Sequence, residues 1–182
     1  MNNWFTADTH FGHGNIIPYC NRPFFSVEEM NSEIIRRWNE RVKEEDTVYH
    51  LGDFCFKRSK EAPKGNVFDY YREQLNGHII LIQGNHDKKN SCRSLLQSAL
   101  INHGGQQLFL IHNPEHYFLS DNKYNTVLCG HVHSNWKFQR VFKRNKEITF
   151  CNVGVDMWNF RPVSINEILG AKSYWEKSRR LS

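Results

Sequence analysis

Short apolar runs separated by polar segments dominate the hydrophobic pattern of this chain. The runs with the length and residue types of β-strands are 4–7, 47–51, 78–83, 107–111, 126–129, 148–153 and 161–165. Several of them are apolar at successive positions rather than at alternate ones, which is typical of strands that are buried on both faces. The pattern therefore predicts sheets that are covered on both sides.

Helical spacing of apolar residues marks the segments between some of these strands. A capping box of Ser26 and Glu29 opens the clearest segment. The apolar stripe that follows consists of Val27, Met30, Ile34, Trp38 and Val42. Segments 67–75 and 91–101 are interpreted as further helices, the second capped by Ser91. Because strands alternate with helices early and follow one another later, we predict a layered α/β domain.

The length of 182 residues and the absence of repeats and of linkers rich in Pro, Gly or Ser favour one domain over residues 1–182. The chain is 39% apolar and 14% aromatic, so it is globular rather than disordered. It has no run of 18 apolar residues and no secretion signal at residue 1, so no membrane association is expected. Its five cysteines form no C-x-x-C pair, which indicates reduced thiols in the cytoplasm rather than a disulfide framework.

The charge of the chain weakly favours anionic partners. The net charge is +5, and part of the excess lies in KFQRVFKRNK, residues 137–146. Two interpretations of this segment stay open: a solvated hairpin, or a patch that follows nucleic-acid phosphates.

Polar side chains follow five of the predicted strands at the point where each strand ends. These endings are Asp8-Thr9-His10, Gly52-Asp53, Gly84-Asn85-His86-Asp87, His112-Asn113 and Gly130-His131-Val132-His133. One such ending is explained by turn chemistry, but turns do not require histidines. The carboxyl ends of strands are where α/β folds place their chemistry. His50, His78, His103 and His116, and also Asp156 and Trp158, receive no site role.

The shared chemistry of these side chains indicates a metal site. Asp8 and His10 stand two positions apart and so can face the same side of a strand. The full set is carboxylate, imidazole and amide without sulfur, which suits Mn²⁺, Fe or Zn²⁺. Seven ligands exceed the need of one ion, whereas two ions that share a carboxylate would use them all. Such a pair is suited to in-line displacement at phosphorus.

The order of motifs D-x-H, G-D, G-N-H-D, H and G-H-x-H over residues 8–133 resembles the calcineurin-like metallophosphoesterases. The resemblance implies a four-layer α/β/β/α sandwich with a dinuclear metal site at the C-terminal ends of the strands. It implies one ion held by Asp8, His10, Asp53 and His133, and another held by Asp53, Asn85, His112 and His131. Manganese is the expected metal, with Fe, Ni²⁺ or Zn²⁺ as alternatives.

The resemblance also implies a mechanism. A hydroxide between the two cations would attack phosphorus, because two cations strongly lower the pKa of bound water. His86 corresponds to the family's catalytic histidine, which acts as an acid or stabilises the transition state. Its orienting partner stays unassigned, because the run after Gly52-Asp53 lacks the G-D-x-x-D-R-G pattern of protein phosphatases.

The chain is more similar to small bacterial and phage members of the family, in H-G-N-I-I, Arg22-Pro23-Phe24 and G-V-D-M-W-N. Short spacings between the motifs leave no large capping insertion, so a phosphodiesterase acting on nucleotides or nucleic acid is favoured over a phosphomonoesterase. His13, Asn15 and Arg22 are predicted to contact the substrate phosphate, Arg22 with a bidentate fork. Two alternatives remain: a non-catalytic interaction scaffold and a nucleic-acid-binding module with structural metals. The oligomeric state is not predicted.

Overall fold

The structure is a computed structural model that describes residues 1–56, 66–90, 92, 94–119, 123–143 and 145–179. Its strands are β1 (Asn3–Thr6), β2 (Thr47–His50), β3 (His78–Leu81), β4 (Ser98–His103), β5 (Gln106–Ile111), β6 (Thr126–Cys129), β7 (Phe138–Lys143), β8 (Lys146–Asn152) and β9 (Val163–Ser164). Its α-helices are α1 (Ile16–Tyr19), α2 (Val27–Asn39), α3 (Val67–Arg72) and α4 (Ile165–Ser178).

Two mixed sheets organise these strands. The first sheet has the order β3-β2-β1-β9, in which β1, β2 and β3 are parallel and β9 is antiparallel. The second has the order β4-β5-β6-β8-β7, with a parallel centre and antiparallel strands at both edges. The parallel strands of each sheet therefore end at a common edge, as the predicted α/β architecture with two sheets requires.

Alternate residues of the central strands enter different parts of the core. On β5, Leu108 and Leu110 pack between the two sheets, where they join Phe5 of β1. Phe109 and Ile111 pack on the outer face of the second sheet. A 3₁₀ segment, Pro114–Leu119, contributes Tyr117 to this outer layer. Both faces of β5 are thus buried, which explains its continuous apolar run.

Helix α2, predicted from its capping box and apolar stripe, covers the outer face of the first sheet. Its stripe residues Met30, Ile34 and Trp38 are fully buried and join α3 in one cluster. The Ser26 hydroxyl accepts the N–H of Glu29 at 3.1 Å and caps the helix. The carboxylate of Glu29 accepts the N–H of Phe25.

The helix predicted over residues 91–101 is wrong. Residues 98–103 are β4, which pairs antiparallel with β5 from Ser98 opposite Ile111 to His103 opposite Gln106. Gly104 and Gly105 form the two-residue turn with φ of 56° and 81°, the backbone conformation that such hairpins need. The predicted cap Ser91 lies outside the described residues.

The pattern did not predict the antiparallel edge strand β7 as a strand or α4 as a helix. Strand β7 pairs with β8, so the described part of residues 137–146 belongs to a hairpin, and its role as a phosphate-following patch stays a prediction. Helix α4 begins with a capping box in which Ser164 and Glu167 exchange hydrogen bonds. Its Ile165 and Ile168 pack into the core between the sheets.

None of the helices in the described part of the chain has the length and apolar character that crossing a membrane requires. That residues 1–182 form a single domain stays a prediction.

The buried stripe of α2 gives a stability prediction. Replacing Ile34 with Ala should lower the free energy of unfolding by about 2–5 kcal/mol, because it leaves a cavity beneath the helix. Denaturant titration measures the change. Ser32→Ala, at an exposed position of the same helix, should change it by less than about 0.5 kcal/mol. Equal effects of the two substitutions would contradict this packing.

Candidate metal centre

The loops that follow β1, β2, β3, β5 and β6 meet where the two sheets come together. The N–H groups of Asp8 and His10 donate to the carbonyls of Gly52 and Asp53, at 3.0 and 3.1 Å. Across the sheets, the N–H of His131 donates to the Asp8 carboxylate, at 2.9 Å to Oδ2. These bonds join three of the five strand-end motifs.

One group of potential ligands consists of Asp8, His10 and His133. Each offers a ligand atom within 4.8 Å of the others. The rings of His10 and His133 stack with centroids 5.2 Å apart. Asp8 is fully buried and His10 is 3% exposed, so a cation bound here would lose most of its contact with water.

A second group consists of Asp8, Asp53 and His112, again within 4.8 Å of one another. Asn85 extends it, because its Oδ1 lies 2.8 Å from His112 Nε2 and 2.9 Å from His131 Nδ1. All seven predicted ligands therefore lie in one continuous cluster.

Asp53 belongs to the second group and also faces the first. Its Oδ2 is 3.7 Å from His10 Nε2 on one side and 3.5 Å from His112 Nε2 on the other. Its Oδ1 accepts the N–H of His86 at 2.9 Å. One carboxylate oxygen is thus within reach of a position beside either group.

Five residues of the cluster have a left-handed backbone. The φ angles are 57° for Asp8, 51° for His10, 57° for Asp53, 72° for His131 and 47° for His133. A non-glycine residue in this region carries a strain on the order of 1 kcal/mol or more. Their concentration at one place indicates that the fold turns these side chains inward against local preference.

Glycines leave room for the two carboxylates. A Cβ added at Gly130 would lie 2.8 Å from Asp8 Oδ2, and one at Gly154 would lie 2.7 Å from the same atom. A Cβ at Gly84 would collide with Oδ1 of Asp53. Any side chain at these positions would displace a carboxylate of the cluster.

Hydrogen bonds orient two of the imidazoles. His112 Nδ1 donates to the Leu51 carbonyl at 2.7 Å, so the neutral form of this imidazole would present the lone pair of Nε2 to a cation. His133 Nδ1 lies 3.0 Å from Asp156 Oδ2. Such outer partners hold metal-binding histidines in position. No role was predicted for Asp156 from the sequence. Ligand atoms of Cys20, His133 and Asp156 also lie within 4.8 Å of one another, so a sulfur atom is close to a site that was predicted to lack sulfur.

Arg22 does not reach outward, contrary to the role predicted for it. Its side chain is fully buried, with Nε 2.8 Å from Asp156 Oδ1 and NH2 2.7 Å from the carbonyl of Asp8. A further nitrogen, NH1, donates to the carbonyl of Thr9 at 3.1 Å. The guanidinium therefore ties the Asp8–His10 loop to Asp156 and is not placed to bind a substrate phosphate.

Two more buried side chains shape the cluster without belonging to it. Asp87 accepts the N–H groups of Asp53, Phe54 and Gly84, at 2.9, 2.9 and 2.6 Å. His50 bonds to the hydroxyl of Thr9 at 3.0 Å, and its burial lowers its pKa to about 3. Asp87 stands inside the G-N-H-D motif, but only the fold reveals its three backbone partners.

His86, His13 and Asn15 lie at the solvent side. The side chain of His86 is 51% exposed, and its Nε2 is 4.0 Å from Asp53 Oδ2. His13 stacks on Phe56 at 4.5 Å and lies 3.5 Å from the His10 ring nitrogen. Asn15 is exposed at the start of α1 and does not cap it.

The donors fit divalent cations. His10 Nε2 is buried and has no hydrogen-bond partner among the described residues, although it faces Asp53. Burial raises the pKa of Asp8 to about 6. Burial would lower the pKa of His112, but the hydrogen bond to Asp53 raises this pKa to about 9. Burial acts on His133 in the same direction, and the hydrogen bond to Asp156 raises the pKa of His133 to about 10. The carboxylates thus stabilise protonated imidazoles at positions where cations could bind instead.

The family of the chain follows from a comparison of sequences. The family model of the calcineurin-like phosphoesterase superfamily domain matches residues 1–163. The chain belongs to the calcineurin-like phosphoesterase superfamily. Membership makes the chain a hydrolase that acts on phosphate esters, in a family that uses divalent metals. The two sheets and the Asp/His cluster agree with this membership.

Relatives of this phosphoesterase occur in archaea, bacteria and phages. It is 39% identical over 163 residues to the uncharacterized protein MJ1445 of Methanocaldococcus jannaschii, covering 90% of this chain and 86% of the relative. It is 34% identical over 87 residues to the Gene 66 protein of Mycobacterium phage L5, covering 47% and 40%. The crystal structure of AQ665 from Aquifex aeolicus, a protein of unknown function, is 27% identical with a TM-score of 0.67, covering 93% and 98%.

Metal affinity should increase with pH. The raised pKa values of about 9 for His112 and about 10 for His133 keep both imidazoles protonated at pH 7 in the metal-free protein. A cation must displace these protons, so affinity should rise about tenfold per pH unit between pH 6 and 8 for each proton released. Calorimetry with Mn²⁺ in buffers of different ionisation enthalpy measures this release. Affinity that is independent of pH would contradict it.

Asp156 should support metal binding through His133. Asp156→Asn keeps the size of the side chain but weakens its hold on His133, so Mn²⁺ affinity should fall by about 10–100-fold. Competition with a chelator measures the affinity, and circular dichroism confirms folding. Asp69→Asn, at an exposed position of α3, is the control. An Asp156→Asn protein with wild-type affinity would show that His133 does not depend on this partner.

Proposed function

We propose that this protein is a dinuclear metal-dependent phosphodiesterase that acts on nucleotides or nucleic acid. The observation that carries the proposal is the position of Asp53. Its Oδ2 lies within 3.7 Å of a ring nitrogen of each ligand group, as a carboxylate shared by two cations would. Two ions that share a ligand are suited to displacement at a phosphate ester.

The proposed ligand sets divide the cluster at Asp53. One cation would be held by Asp8, His10, Asp53 and His133. The other would be held by Asp53, Asn85, His112 and His131. Mn²⁺ is the proposed metal, with Fe, Ni²⁺ or Zn²⁺ as alternatives, because these ligands are mainly imidazole and carboxylate. We also propose that the protein acts in the cytoplasm.

The metals, when bound, would supply a nucleophile from water near neutral pH and neutralise charge on the phosphoryl oxygens. His86 would protonate the leaving oxygen or stabilise charge on the phosphoryl group. Its place supports this role, because it borders Asp53 but is half exposed and stays outside both ligand groups. Its backbone N–H, bonded to Asp53, ties its loop to the shared carboxylate.

Removing the imidazole of His86 tests this role. His86→Ala should lower kcat by about 10²–10⁴-fold, the range for loss of a general acid, while the protein keeps its two metal ions. The assay is hydrolysis of bis-p-nitrophenyl phosphate by metal-free protein titrated with Mn²⁺, with metal content measured by mass spectrometry. His103→Ala, an exposed histidine on β4, is the control and should retain full activity.

The same assay with p-nitrophenyl phosphate decides between the two branches. Higher kcat/KM for the diester supports the phosphodiesterase, and higher kcat/KM for the monoester replaces it with a phosphomonoesterase. Failure to hydrolyse either ester with any divalent ion, in protein that binds two ions, would favour the non-catalytic scaffold.

A further inference from the structure

A cleft of about 330 Å³ opens beside the metal centre on the outer face of the second sheet. Its walls are formed by Phe118 of the 3₁₀ segment, by Trp136, and by Val141 and Phe150 of the β7–β8 hairpin. Phe150 is 1% exposed and lies at the bottom of the cleft. Phe118 and Trp136 are half-buried and present ring surface to the cleft. The cleft is therefore lined by flat aromatic surfaces beside and on the β7–β8 hairpin.

The cleft is continuous with the metal centre. His131 lines one end of it, and the same imidazole lies 2.9 Å from Asn85 in the ligand cluster. A group in the cleft would thus be next to whatever binds at the cluster. None of the metal-site contacts described above uses the aromatic walls.

The polar rim of the cleft suits a heterocycle better than an alkyl chain. Asn113, Glu115 and Gln139 border the aromatic walls. Carboxylate and amide side chains are the groups that hydrogen-bond to the edges of bases. Aromatic walls supply stacking, which every base can use.

A positive charge near the cleft suits the anionic backbone of a nucleotide. The ammonium group of Lys143, at the end of β7, lies 4.1 Å from the centre of the Phe118 ring. A nucleotide brings both an aromatic base and an anionic backbone. The basic segment 137–146 thus contributes one wall of the cleft and a cation beside it.

We propose that this cleft is a nucleobase subsite, in which a base stacks against Phe118 and Trp136 while the phosphate attached to its sugar is bound at the metal centre. The inference rests on the proposed phosphodiesterase function and specifies its substrate as a nucleoside phosphodiester. The residues of the cleft would determine specificity and would not take part in the chemical step.

A comparison of two substrates with the same leaving group measures the contribution of the nucleobase. One is the p-nitrophenyl ester of thymidine 5′-phosphate, and the other is methyl p-nitrophenyl phosphate, which has no base. Phe118→Leu and Trp136→Leu keep apolar bulk but remove the ring. Each should lower kcat/KM for the thymidine ester by about tenfold, mainly through KM, the loss expected for one stacking partner. Each should leave the methyl ester unaffected.

Controls separate recognition from folding. Phe142→Leu removes a ring from the opposite, exposed face of β7 and should leave both esters unaffected. Trp136→Phe should restore most of the activity on the thymidine ester. Equal losses on both esters, or no loss on either, would overturn the proposal. A hexyl p-nitrophenyl phosphate that depends equally on Phe118 and Trp136 would show a general apolar slot and would also overturn it.

Binding measurements keep this test independent of turnover. Calorimetry of the Mn²⁺-loaded protein should give tighter binding of thymidine 5′-phosphate than of deoxyribose 5-phosphate, and Trp136→Leu should remove the difference. If neither ester is hydrolysed but this preference is found, the phosphodiesterase proposal fails and the base subsite remains. If both esters are hydrolysed but no preference is found, the subsite fails and the phosphodiesterase proposal remains.

Discussion

Two buried carboxylates, Asp8 and Asp53, are the feature on which the rest of this structure depends. Removing an ionised carboxylate from water is costly unless donors or cations surround it. Backbone N–H groups of His86 and His131 supply part of that compensation, and they belong to loops from different sheets. The imidazoles of His112 and His133, whose pKa values are raised, supply another part as protonated groups, in positions where metal ions could replace the protons. The interactions that join the sheets at this edge therefore also form the candidate site for divalent cations.

The fold accommodates this concentration of charge at a local cost. Parallel strands bring their ends to a common edge, but the last step inward is made by left-handed residues such as Asp8 and His133 and by glycines such as Gly84. Buried partners hold the strained turns in place, since Arg22 joins Asp156 to the backbone of Asp8 and Asp87 gathers the N–H groups around Asp53. Precise placement of ligands and a strained backbone are two aspects of one arrangement.

Much of the site could be predicted from the sequence because strand ends obey simple geometry. Asp8, His10 and His112 follow apolar runs, and such runs end together in parallel sheets. The supporting partners could not be predicted in this way, because Arg22 and Asp156 are 134 positions apart and meet only in the fold. An arginine in a loop was therefore assigned to a substrate when its donors satisfy a buried carboxylate and two carbonyls.

The errors in secondary structure have local causes. The apolar residues of 91–101 fit a helix as well as a strand, and only Gly104-Gly105 indicates the hairpin that makes this segment β4. Helix α4 was missed although Ser164 and Glu167 form a capping signal. Anomalous X-ray diffraction from crystals of the Mn²⁺-loaded protein tests whether two cations share Asp53. Two manganese peaks about 3.5–4 Å apart with Asp53 between them are expected. A single peak, or two peaks that do not share Asp53, would contradict this expectation.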